Sequence, residues 1–183
     1  MSFFGSCGNL DLSTRFVLLI QYDPINVEIH INIEEYRSPD ELSVEEQQLI
    51  ERAIQTARDA YAPYSEFHVG ASLLLENGTF FNGNNQENAA YPDGICAERV
   101  AMYAANAIHP HSPPKMMAVA AAYQDKLLDQ PAYPCGSCRQ ALLESENRFN
   151  RPVRMLMYGK AGIHVVNSIR DLLPLSFDTS FLK

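Results

Sequence analysis

The chain has 183 residues, 46% hydrophobic and 20% charged, with 14 Lys and Arg against 22 Asp and Glu for a formal charge of −8. That length and apolar content suit one soluble globular domain with an appendage and exclude a disordered chain. The acidic balance, without any basic run, argues against a nucleic-acid polymer as partner, and no stretch is long enough to span a membrane.

Residues 1–42 stand apart as an N-terminal extension of no assigned role. Within it, Cys7 is a lone thiol, and "FVLLI" (16–20) is too short for a signal-peptide core. Val27, Ile29, Ile31 and Ile33 alternate with polar residues, which predicts a half-buried strand over 25–33. Ser43 followed by Glu46 reads as a capping box opening a helix to about Ala60. Leu49, Ile50, Ala53, Ile54 and Ala57 fall on one face of that helix.

"YAPYSEF" (61–67) is a proline-interrupted loop. "HVGASLLLE" (68–76), Asn77-Gly78 and "TFFNGN" (79–84) read as strand, tight turn and antiparallel strand. After a loop through "QENAAYPDG", residues 96 to about 108 form an alanine-rich helix, and "KMMAVAAAY" (115–123) is an apolar run of strand length. A second such helix begins just after Pro134, and "PVRMLMYG" and "GIHVVN" close the chain as two short strands. The alternation of helices and strands predicts an α/β fold, a three-layer α/β/α sandwich around a mixed five-stranded sheet. Too few residues separate the last two strands, around 159–162, for a parallel crossover, so that pair is antiparallel.

Three of the four cysteines carry the chemical signal. Cys135 and Cys138 are separated by two residues at a helix start, and Cys96 opens the other helix. Helix N-termini steady thiolates, and two such ends converging make a three-sulfur site that prefers Zn²⁺. Three protein ligands leave a fourth position open, the arrangement of a catalytic rather than a structural zinc. Glu98, two residues past Cys96, is placed to move protons beside the metal, and Arg99 and Arg139 are placed to donate hydrogen bonds to sulfur. Taken alone, Cys96 is a small core residue and Glu98 a first-turn charge. The two motifs together carry the metal reading.

"GICAERVA" and "PCGSCRQ", with "PYSEFHVGA", "GNNQENAAYP" and "LLPLSF", resemble the zinc-dependent cytidine deaminases, specifically their small homo-oligomeric, free-nucleoside branch. The similarity places the catalytic domain at 43–178 and leaves 179–183 as a C-terminal tail. It implies a cytidine deaminase-like fold with one Zn²⁺ per subunit on Cys96, Cys135 and Cys138, and Glu98 as proton shuttle. It implies ribose contacts from Asn85 and Glu87, stacking from Phe67, and substrate contacts from Ala97, Tyr91 and Phe177, the last from a neighbouring subunit. The implied reaction is hydrolytic deamination of cytidine and 2′-deoxycytidine in pyrimidine salvage, by a cytoplasmic homotetramer acting on a small nucleoside.

Two positions depart from the family pattern: His68 stands where proline is usual, and Asp93 follows the Tyr91-Pro92 pair. Two other readings stay open at this point. One is a deaminase of a nucleoside-like antibiotic, and the other a non-catalytic zinc-stabilised binding protein, against which Glu98 argues.

Overall fold

The computed structural model describes residues 25–182, so Cys7 and the 16–20 run lie outside it. A seven-stranded mixed sheet forms the middle layer. Its strands are β1 (Glu34–Tyr36), β2 (Phe67–Leu75), β3 (Phe80–Asn84), β4 (Pro114–Tyr123), β5 (Lys126–Leu127), β6 (Arg154–Gly159) and β7 (Gly162–Val166). The order is β1-β7-β6-β4-β2-β3, with β5 paired to β4. β4 and β6 are parallel and every other pairing is antiparallel, including β6 with β7, where Gly159 faces Gly162.

Helix α1 (Val44–Ala57) covers one face of the sheet, and α2 (Ala97–Ile108) and α3 (Gly136–Phe149) cover the other. The strands sort their side chains accordingly. Met117 and Val119 of β4 join Met102 and Leu142 in one core, whereas Met116, Ala118 and Ala120 join Leu49 and Ile50 in the second. A central strand buried on both faces has no polar face, which is why β4 reads as a continuous apolar run. Each fully buried leucine of these cores contributes about 1.5–3 kcal/mol.

The helix starts match the capping chemistry. Ser43 Oγ accepts from the Glu46 amide, and Glu46 Oε2 accepts from the Ser43 amide at 2.9 Å, closing the box. The helix stops at Ala57 rather than Ala60, because the Arg58 amide turns to the Gln55 carbonyl and the Asp59 amide to the Thr56 carbonyl, each at 3.2 Å. Close approach of α2 to β3 depends on Gly83: a Cβ there would lie 2.5 Å from both the Ala101 nitrogen and the Ala97 oxygen. This contact fixes the height of the α2 N-terminus, and so of Cys96, above the sheet.

The sheet differs from the expected five strands by two. β5 is a two-residue addition to β4, and β1 comes from the N-terminal extension. The strand expected over 25–33 is not formed. Those residues have no regular secondary structure and their apolar side chains are exposed, from 45% at Ile31 to 92% at Ile25. Alternation specifies which face a strand would bury but not that an edge is present to receive it, and only residues 34–36 reach β7.

Candidate active site

Cys96 is the N-cap of α2 and Cys135 the N-cap of α3, both with extended backbone and neither sulfur capping its own helix. Their side chains are thus left to converge. Cys96 and Cys135 Sγ lie 3.7 Å apart, Cys135 and Cys138 Sγ 3.5 Å, and all three fall within 4.8 Å of one another. Tetrahedral thiolate ligation at about 2.3 Å sets sulfurs about 3.8 Å apart, so this cluster fits one zinc ion per chain. Cys138 is fully buried, Cys96 half-buried and Cys135 exposed, which leaves the cluster open on one side.

The thiols do not share one pKa. Hydrogen bonding from Cys138 and from Arg99 lowers Cys96 to about 5 against its desolvation, while the same hydrogen bond to Cys96, with burial, pushes Cys138 up. Arg99 Nη2 lies 3.7 Å from Cys96 Sγ. Arg139 does something else. Its Nε donates to the Pro134 carbonyl and its Nη1 to the Leu172 carbonyl, each at 2.8 Å, so it braces the loop entering Cys135 instead of reaching sulfur.

Glu98 is 3% exposed and lines a cavity of about 260 Å³ together with Phe67, Asn85, Cys96 and Cys135. Burial, aided by the negative charge of Cys96, raises its pKa above the ordinary carboxyl value. A buried carboxyl beside a three-sulfur cluster and an open cavity is equipped to hold and pass on a proton.

Asn85 lines this cavity, whereas Glu87 lines an adjoining one, and both are tied to the chain around Phe67. Asn85 Nδ2 donates to the Phe67 carbonyl at 2.9 Å and its Oδ1 accepts from the Val69 amide at 2.7 Å, so the side chain stands in for a strand neighbour at the start of β2. Glu87 accepts from the Ser65 hydroxyl and from the amides of Tyr64 (2.9 Å) and Ser65 (3.2 Å). These bonds, the Ser65 hydroxyl first, hold its pKa below the ordinary value. Each group retains hydrogen-bonding capacity beyond these contacts.

Tyr91 is 78% exposed, packs edge-on against Tyr64 at 6.3 Å, and lines an adjoining cavity of about 370 Å³ that shares Asn85 and Cys96 with the first. The Ala97 side chain is fully buried, which leaves only its first-turn main-chain amide for a ligand. Phe177 is not brought to the Glu98 cavity of its own chain. It lies beside α2 and α3, where its carbonyl accepts from Gln140 and its ring stacks on Phe181 at 5.4 Å. His68 faces the opposite side of the sheet, and Asp93 is exposed in a short 3₁₀ turn.

Sequence reasoning missed Val69, Val119, Ala132 and Tyr133 as cavity lining. Tyr133 directly precedes Pro134-Cys135, and its hydroxyl is 2.8 Å from His164 Nδ1 on β7. Position next to the motif was the available signal. The pairing with His164 is a tertiary fact.

Three sulfurs on two helix ends, opening beside a buried carboxyl, define a mononuclear zinc enzyme. Comparison with known proteins agrees. Residues 43–151 match the model of the cytidine and deoxycytidylate deaminase zinc-binding region, and the chain belongs to that family. It is 41% identical over 101 residues to the cytidine deaminase of Halalkalibacterium halodurans, covering 55% of this chain and 72% of that one. It is 36% identical over 130 residues to the cytidine deaminase of Mycobacterium tuberculosis, covering 68% and 84%. Among solved structures, the cytidine deaminase of Burkholderia pseudomallei superposes with a TM-score of 0.63 at 34% identity, over 74% of this chain and 100% of that one. Among the described residues, no helix is long and apolar enough to cross a membrane.

Proposed function

We infer that the protein deaminates cytidine and 2′-deoxycytidine hydrolytically, releasing ammonia and leaving uridine or 2′-deoxyuridine, a step of pyrimidine salvage. The observation that carries this reading is the buried carboxyl of Glu98 in the wall of the cavity that Cys96 and Cys135 also line. Zinc held by Cys96, Cys135 and Cys138 supplies Lewis acidity that makes water a nucleophile near neutral pH.

The chain's own residues do the rest. Glu98 takes a proton from the attacking water and gives it to N3 of the base, which makes C4 more electrophilic. The water oxygen bonds to C4, and Glu98 then takes the remaining proton from that C4 hydroxyl and delivers it to the exocyclic nitrogen as the C4–N4 bond breaks and the C4 carbonyl forms. Cytidine and water thus become uridine and ammonia, with Glu98 returned to its starting state. Phe67 lies along the base, and the remaining hydrogen-bonding capacity of Asn85 and Glu87 serves the ribose. Arg99 offsets the negative charge of the sulfurs, and Arg139 keeps the Cys135 loop in place.

Residues 43–178 are assigned as the catalytic unit, with 1–42 and 179–183 as its extensions. The working form is a homotetramer in which Phe177 reaches a neighbouring subunit's cavity, while Tyr91 borders the cavity of its own chain. The placement of Phe177 outside its own Glu98 cavity supports that reading. A thiolate site of this kind suits the reducing cytoplasm.

Ammonia release by zinc-loaded protein from cytidine, 2′-deoxycytidine, a cytosine-containing oligonucleotide and a nucleoside-like antibiotic tests the substrate class. Turnover of the two nucleosides is expected. Preference for the oligonucleotide or the antibiotic would replace this reading, and no turnover of any would favour a binding protein.

A further inference from the structure

His68 does not line the cavity that holds Glu98. Successive residues of a strand face opposite ways, so Phe67 and Val69 look into the catalytic cavity while His68 looks out of the other face of β2. There, beside its cross-strand neighbour Ala122, it lines a separate cavity of about 630 Å³. The C-terminal end of α1, the β4–β5 turn and the β6–β7 turn form the walls.

The charge in this cavity runs against that of the molecule. Four of its nine lining residues are basic (Arg58, His68, Lys126 and Lys160) and Asp125 is its one acid, in a chain carrying 14 Lys and Arg against 22 acids. Lys160 is shared with Asp129 at 2.9 Å. Arg58, His68 and Lys126 make no side-chain hydrogen bond or ion pair among the described residues. The floor between them is carbon, from Ile54 and Ala57 on α1 to Leu127 on β5.

The walls are held in place. Gln124 and Asp125 both adopt left-handed backbone, at φ of 47° and 60°, to turn β4 into β5 and bring Lys126 to the cavity. Two consecutive non-glycine residues in that region cost conformational energy. On the far side, the Lys160 amide donates to the Leu128 carbonyl at 3.0 Å and the Ala161 amide to the Asp129 carbonyl at 2.9 Å. A guanidinium fork and two ammonium groups lining one space can engage three oxygens on a single centre, which a phosphomonoester presents with more charge than the two oxygens of a carboxylate. The volume falls within the range of small-molecule sites.

We propose that this cavity binds a phosphomonoester carrying a flat apolar group, with the phosphate on Arg58, His68, Lys126 and Lys160 and the apolar part over Ile54 and Leu127. A nucleoside monophosphate has that form. The site is back to back with the catalytic cavity across β2, through the adjacent residues Phe67 and His68, and it does not depend on the substrate reading above.

The test is calorimetric titration of zinc-loaded, full-length protein with adenosine 5′-monophosphate, and separately with adenosine and with inorganic phosphate. One monophosphate per chain is expected, bound at least about tenfold more tightly than either fragment. Arg58→Glu and Lys126→Glu should each weaken it by about tenfold or more, with zinc content and deamination unchanged. A saturating concentration of uridine should leave the monophosphate bound. Absence of binding at millimolar concentration, wild-type affinity in both variants, or displacement by uridine would overturn the proposal. Inorganic phosphate binding as tightly as the monophosphate would overturn the role given to the apolar floor.

Discussion

Arg154 Nη2 lies 2.9 Å from Glu34 Oε2, a link between β6 and the first described strand that spans 120 positions of sequence. The same guanidinium meets Glu46 of the α1 capping box through Nε at 2.7 Å, and its Nη1 donates to Asn167. Asn167 and the Tyr36 hydroxyl in turn donate to Glu34, at 2.7 and 2.9 Å. One arginine thus joins the N-terminal strand, the start of the first helix and the end of the sheet. Replacing Arg154 with Met leaves the Glu46 carboxylate buried without its charge partner. We expect a loss of about 2 kcal/mol in urea unfolding, below the fully buried range because Arg154 is partly exposed.

This network also sets an acid dependence. Hydrogen bonds from Arg154, then from Asn167 and Tyr36, lower Glu34 from 4.5 to about 2. A depressed folded-state value contributes stability that is fully present above about pH 4.5 and is lost as pH falls toward 2. The stability difference between the wild type and Glu34→Gln should therefore be largest near neutral pH and shrink below pH 4.5. A difference that stayed constant to pH 3 would show that Glu34 is not ionised in this bridge.

Glu98→Gln keeps the shape of the side chain and removes its ability to accept and return a proton. Deamination should fall by about 10³-fold or more, with the zinc content and unfolding midpoint of the wild type retained. Full activity in this variant would remove Glu98 from the mechanism.

Cys138→Ala deletes the sulfur on the buried side of the cluster. Metal analysis should show bound zinc falling well below one per chain, and the thermal midpoint of the wild type should drop with a chelator far more than that of the variant.

Asn85→Ala removes both the donor to the Phe67 carbonyl and the acceptor for the Val69 amide. KM for cytidine should rise about tenfold while zinc content stays constant, because the end of β2 that carries Phe67 loses its brace. A change in kcat alone would instead place Asn85 in the proton-transfer step.

The three-sulfur cluster was legible in local sequence because its parts are local. Cys96-Ala97-Glu98 and Cys135-x-x-Cys138 each open a helix, and a helix start fixes where its first side chains point. The capping box at Ser43, the turn at Asn77-Gly78 and the antiparallel last strand pair are equally short-range, and each stands in the structure as expected. The strand expected over 25–33 failed because its alternation says nothing of a partner, and the structure supplies one only at Glu34–Tyr36.

What the sequence by itself determined was the order of the elements and the identity of the sulfurs and the carboxyl. Only the tertiary structure decided which arginine meets sulfur, since Arg99 and Arg139 occupy equivalent places after their motifs and differ in what packs around them. It likewise decided that Tyr133 joins the cavity through His164 and that His68 faces the basic pocket on the other side of the sheet. Those outcomes depend on which residues distant in the chain share a face, and a sheet assigns faces only once its strands are paired.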